Sequence, residues 1–231
     1  MLFRLTNPRL EELARRQRNS EKPKIKTGRL VALGSEEIQE QEYKFLCDTL
    51  GDKMNIDELT RVYIRQNWIY GLNLHGYSLQ SIRPNIYELE ELQVLDLSYN
   101  QLKKIPGEIG RLRQLRTLNL ESNCLSYLPE SIGLLLNLET LNLANNQLGW
   151  LQTSLNGLER LKILNLTGNR FDCIPVCVDG MKSLEELYLW GNNIQQLPEY
   201  MRGLGNLKRI YVERNVIVPS QMRPKVITSP Y

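Results

Sequence analysis

The sequence predicts an α/β repeat solenoid, a right-handed horseshoe with a parallel sheet on its concave wall and a helical cap at its N-terminal end. Three observations predict it. One pattern, L-x-x-L-x-L-x-x-N-x-L, begins at Ile69, Leu92, Leu115, Leu138, Leu161, Leu184 and Leu207, at a constant spacing of 23 residues. Within each copy the x-L-x-L-x portion alternates apolar and polar with the period of a strand. An asparagine returns at the same place in every copy but the first, where Tyr77 stands.

The chain therefore divides into four parts: a basic helix and linker over 1–29, a helical cap over 30–68, seven repeats over 69–217, and a short C-terminal cap or tail over 218–231. Hydrophobic residues make up 42% and charged residues 24%. That balance suits a folded, water-soluble chain and not a disordered one. The net charge of +3 is unevenly spread: residues 1–29 carry nine Lys/Arg against three Glu, and residues 30–68 carry four Lys/Arg against eight Asp/Glu.

Asn7-Pro8 opens the first helix, an Asn cap with Pro at the first helical position. Its apolar side is thin (Leu10, Leu13, Ala14), and residues 19–28 read as a linker. A second helix runs from Ser35 to Gly51, with Ile38, Phe45, Leu46 and Leu50 on one side. Asn55-Ile56-Asp57-Glu58 resembles a capping box for a third, with Leu59, Val62 and Tyr63 as buried positions. A first repeat without a lid would expose its leucines to water, which is the physical reason to expect a cap here.

In each repeat the second and third consensus leucines, such as Leu118 and Leu120, point inward, and the side chains between them point outward. Asn100, Asn123, Asn146, Asn169, Asn192 and Asn215 form a structural column. Where the backbone leaves the strand, an inward Asn supplies both donor and acceptor to neighbouring turns. The second half of each copy carries an L/I-P-x-x-I/L-G phrase, as in Ile105-Pro106-Gly107-Glu108-Ile109-Gly110, which suits extended or single-turn backbone on the outer wall. Asn165-Leu166-Thr167 matches a glycosylation triplet but falls inside a strand. The valines and isoleucine at 216–218 precede a tail that is expected to leave the last strand partly open.

On these motifs the chain resembles the leucine-rich repeat family, in its 23-residue "typical" class, as found in intracellular Ras-pathway scaffolds, Ras-suppressor-like proteins and bacterial repeat proteins. The resemblance covers residues 69–217. It implies a curved solenoid that binds protein partners, commonly on the concave face, in the manner of a scaffold or signalling adaptor.

Seven strands make a concave wall about 29 Å wide, enough for a protein interface. Its middle outward column reads Asn73, Asp96, Asn119, Asn142, Asn165, Tyr188 and Tyr211. Small polar groups in repeats two to five thus give way to large ones in repeats six and seven. Glu186, Tyr188, Trp190, Arg209, Tyr211, Glu213 and Arg214 are the candidate partner-binding residues, because Tyr, Trp and Arg most often anchor interfaces. Strand propensity alone also favours aromatics there. Two outer-wall features, the Tyr127/Trp150/Cys173 row and the Leu134/Leu136 pair, read either as packed against the adjacent repeat or as a face for self-association. The expected protein is monomeric.

Catalytic and metal chemistry find little support. His75 is the one histidine and lies in the irregular first repeat, with no cysteine or acid at an equivalent position. Cys173 and Cys177 lack the further ligands of a zinc site, and no glycine-rich phosphate loop follows a strand. The expectation is a non-enzyme without cofactor or metal. Cys47, Cys124, Cys173 and Cys177 show no disulfide framework, the first residues are too short an apolar run for a secretory signal, and no stretch approaches a membrane span. A cytoplasmic location follows as an expectation. Alternatives are an adaptor tethered to acidic membrane or nucleic acid through residues 1–29, or a self-associating structural protein.

Overall fold

In a computed structural model the chain is described over residues 62–65 and 68–228, with side chains described for 69–222 and 225–228. The N-terminal helix, the linker and the cap predicted before residue 62 lie outside the described residues.

Nine strands form one open sheet in sequence order: β1 (Val62–Arg65), β2 (Trp68–Asn73), β3 (Val94–Asp96), β4 (Thr117–Asn119), β5 (Thr140–Asn142), β6 (Ile163–Asn165), β7 (Glu186–Tyr188), β8 (Arg209–Val212) and β9 (Val226–Thr228). From β2 onward every pair is parallel. The register Gly71, Val94, Thr117, Thr140, Ile163, Glu186, Arg209 steps by 23 residues, so the sequence period is also the spatial neighbour list. On the opposite wall each repeat makes one 3-10 turn, for example Gly107–Arg111 and Glu130–Leu134, each entered from an extended Pro. Apart from Leu79, half-buried in the first repeat, and Ile217, 68% exposed in the last, the consensus apolar side chains between the two walls are buried. Each contributes roughly 1.5–3 kcal/mol by leaving water.

Five of the six asparagines form the predicted column. Asn123 is typical: its amide donates to the carbonyls of Leu97 and Leu120, both at 3.0 Å, and its Oδ1 accepts the Leu102 N–H at 3.0 Å. Asn100, Asn146, Asn169 and Asn192 repeat the pattern. The residue before each has left-handed backbone: Tyr99, Ser122, Asn145, Gly168 and Gly191. This reversal swings the Asn inward. At Gly168 a Cβ would meet the Asn145 Oδ1, so another residue there would have to displace that side chain. The expectation for Asn215 is corrected. Arg214, the residue before it, is not left-handed, β8 runs a residue longer, and Asn215 ends exposed in the following turn.

Two end elements differ from the sequence reading. Val62 and Tyr63 belong to strand β1, paired antiparallel with β2, and not to a third helix. The last repeat strand is not open: after a 3-10 turn at Ser220–Lys225, β9 pairs with β8 in a register of Ile210 on Val226. That spacing is shorter than the repeat, and β9 lies beyond the last copy of the consensus. Val226 and Met222 pack on the final layer of the core.

Candidate functional site

The concave wall has two halves with different chemistry. In repeats one to five the middle column serves the backbone. The Oδ1 atoms of Asn73, Asp96, Asn119, Asn142 and Asn165 accept the N–H two residues on, at His75, Ser98, Glu121, Ala144 and Thr167, at 2.9–3.1 Å. These Asx turns close the strand ends. They explain the run of small polar residues without a ligand.

Repeats six and seven cannot do this, because Tyr188 and Tyr211 have no short acceptor. Their rings stack face to face with centroids 4.2 Å apart and planes 4° from parallel. Trp190 meets Tyr211 edge-on at 5.2 Å, and its indole N–H donates to the Val212 carbonyl at 2.9 Å. Glu186 lies beneath them, 2% exposed. One of its oxygens accepts the Tyr188 hydroxyl at 2.6 Å and the other pairs with Arg209 at 3.2 Å. Glu213 accepts the Gly191 N–H. The structure thus joins Glu186, Tyr188, Trp190, Arg209, Tyr211 and Glu213 in one array, while Arg214 is exposed in the turn after β8. Glu186 and Tyr188 are buried supports. Trp190, Tyr211 and Arg209 form the accessible part.

Sequence reasoning missed Ile227. It pairs in register with Tyr211, continues the aromatic column onto β9 and is 40% exposed. Its signal was weak because it lies outside the 23-residue period. The other end of the wall holds a chain of contacts from His75 Nδ1 to Ser98 Oγ at 2.9 Å and from the Ser98 hydroxyl to Asp96 at 2.5 Å. The Ser98 proton is directed to the carboxylate, and Ser98 is 1% exposed. A nucleophile would direct it to the imidazole. Nearby Glu121 accepts the Asn142 amide at 3.0 Å, and burial pushes its carboxyl above the usual range.

Beside the strands runs a ladder of opposite charges. Glu139 bridges Arg116 at 2.9 Å and Lys162 at 2.6 Å, and Lys208 meets Glu185 at 2.7 Å. The hydrogen bond from Lys162 is the largest cause holding the Glu139 carboxyl below its usual range. On the outer surface, Tyr127, Trp150, Cys173, Leu134 and Leu136 are exposed. Tyr127, Leu134, Leu136 and Trp150 are 43–56% exposed, so about half of each side chain is covered and half faces solvent. Among the described residues no group of three His, Cys, Asp or Glu side chains could hold a metal, and no helix is long and apolar enough to cross a membrane.

Comparison with known proteins is consistent with this geometry. One leucine-rich repeat profile matches residues 69–125 and another matches 137–158 and 183–204. No curated protein matches the sequence significantly. Among solved structures, the chain is similar to a leucine-rich repeat protein of Leptospira interrogans, with 32% identity and a TM-score of 0.66 over 69% of this chain and 42% of that one. It is also similar to the leucine-rich repeat ectodomain of the Arabidopsis thaliana membrane receptor kinase GASSHO1/SCHENGEN3, solved in complex with CASPARIAN STRIP INTEGRITY FACTOR 2. There the identity is 28% and the TM-score 0.62, over 73% of this chain and 21% of that one. An internalin of Listeria monocytogenes shares the fold at 20% identity and a TM-score of 0.53, over 65% of this chain and 44% of that one. The chain spans less than half the length of each of these proteins.

Proposed function

Because the chain belongs to the leucine-rich repeat family, whose repeats generally mediate protein–protein interaction, we propose that it is a non-catalytic interaction module that docks a protein partner on its concave wall at repeats six and seven. The observation that carries the reading is the preassembled array of Tyr188, Tyr211 and Trp190 over the Glu186–Arg209 pair. Aromatic rings already held by stacking and hydrogen bonds lose little freedom when a partner covers them, which is how interface anchors gain affinity. The bound factor of the Arabidopsis receptor ectodomain supports the class of partner, a polypeptide.

The test is co-purification from the source cell with the wild type and with a Trp190→Ala, Tyr211→Ala variant. A partner held by the wild type should be lost from the variant while its thermal midpoint shows that the solenoid still folds. Equal recovery by both would move the site elsewhere on the molecule.

A further inference from the structure

The wall that carries the chain away from the concave strands holds a second feature, independent of the aromatic array. Here the backbone of each copy bonds to the copy before it. The N–H groups of Cys124, Gln147 and Arg170 donate to the carbonyls of Leu102, Leu125 and Leu148 at 2.8–2.9 Å. Repeats two to five therefore lie side by side in register, and two exposed rows cross them. One row reads Lys104, Tyr127, Trp150, Cys173, and the row beside it reads Lys103, Ser126, Gly149, Asp172.

The chemistry of these rows changes from one end to the other: basic on repeat two, aromatic on three and four, acidic on five. Trp150 is the most exposed aromatic ring among the described residues. Among those residues Lys103, Lys104 and Asp172 form no ion pair. Elsewhere the chain pairs its exposed charges across repeats, as Arg116, Glu139 and Lys162 do. The lysines and the aspartate stand equally far on either side of the boundary between repeats three and four. Each ring also has a small neighbour in the second row, Ser126 beside Tyr127 and Gly149 beside Trp150.

We propose that this face pairs with the same face of a second copy, about a two-fold axis passing between repeats three and four and between the two rows. A half-turn about that axis exchanges repeat two with five, three with four, and one row with the other. It sets Lys104 against Asp172 of the second copy, with Lys103 alongside. It also sets Tyr127 against Gly149 and Trp150 against Ser126, and every contact occurs twice. Large rings meet small residues, and opposite charges meet at both ends. Arg170, the other charge of this face, already donates to Gln147 at 3.4 Å and falls opposite Pro106 of the second copy. Four copies, each crossing the wall over a segment like 101–106, make a face about 20 Å on a side, smaller than a standard interface. The dimer is therefore reversible. At high concentration the protein is a dimer, not the monomer expected from the sequence.

Sedimentation equilibrium of the full chain, from micromolar to millimolar concentration at low salt, tests the pairing. The wild type should pass from monomer to dimer, and Trp150→Ala should weaken the dimer about tenfold. Lys104→Glu and Asp172→Lys each bring like charges together twice, and each should weaken it at least about fivefold. An equimolar mixture of those two variants should regain the wild-type mass, because the two reversed side chains then meet each other and the two native ones do the same. The concave-wall variant, Trp190→Ala with Tyr211→Ala, should dimerise like the wild type. Thermal midpoints confirm that each variant is folded. A monomer mass at every concentration, a dimer undiminished by Trp150→Ala, a dimer lost from the concave-wall variant, or no recovery on mixing would each overturn the proposal.

Discussion

The Tyr188 hydroxyl donates to Glu186 at 2.6 Å, and through that bond a carboxylate 2% exposed is held under the most aromatic part of the concave wall. Arg209 supplies the opposite charge from the next strand at 3.2 Å. The Tyr188 ring is therefore held by its hydroxyl as well as by its stacking on Tyr211.

Removing the hydroxyl while keeping the ring tests this support. Tyr188→Phe leaves the stack on Tyr211 but strips a buried carboxylate oxygen of its donor, and should lower stability by about 1–3 kcal/mol. Urea unfolding followed by circular dichroism measures the loss. A variant as stable as the wild type would mean that the bond contributes nothing.

The asparagine column predicts a contrast between two chemically identical changes. Asn146→Ala strands the Leu125 N–H and the carbonyls of Leu120 and Leu143, all inside the solenoid, at about 1–3 kcal/mol. Asn215→Ala alters an exposed turn and should stay within about 0.5 kcal/mol. Equal effects in parallel thermal melts would contradict the inward and outward placement.

The outer wall depends on a close approach of its turns. At Gly133 a Cβ would overlap the Ser154 carbonyl of the next repeat, where only backbone could give way. Gly133→Ala should destabilise by about 1–3 kcal/mol. At Gly203 a Cβ would meet nothing, so Gly203→Ala should cost far less. Chemical denaturation of the pair checks the difference.

Two carboxylates should bend the pH dependence of stability in opposite directions. The folded protein lowers the Glu139 pKa, so its contribution is present above the ordinary carboxylate range and is lost as pH falls through the folded value. Its partners are about half exposed, so solvent screening keeps the effect small. Burial raises the Glu121 pKa, so the folded state favours its protonated form, and that preference fades as pH rises through the folded value. Between about pH 3 and 6, Glu139→Gln should flatten the acid loss of stability and Glu121→Gln should steepen it. Thermal midpoints across that range, compared with the wild type, report both signs.

Most of the scaffold was legible because a solenoid turns sequence distance into spatial distance. Leu118 and Leu141 must touch if the period holds, and the alternation about them decides which side chains face in. The same register brought Glu186, Tyr188, Arg209 and Tyr211 to one place before any coordinates. The limits appeared where the period ends or bends. Val62–Arg65 and β9 lie outside it, so strand pairing there depended on neighbours that the repeat could not name. Asn215 kept its consensus letter but lost its role, because the backbone at Arg214 does not reverse.

By itself, then, the sequence determined the repeat, its register, the leucine core and the columns of the concave wall, since each follows from a period and an alternation. Only the tertiary structure decided how deeply each column is covered and which polar atoms meet. It turned the small polar residues into strand-end turns, joined Glu186 to the Tyr188 hydroxyl, and left Trp150 and Leu136 exposed. Burial and hydrogen-bond matching depend on the joint packing of several repeats, and no single copy of the pattern contains that information.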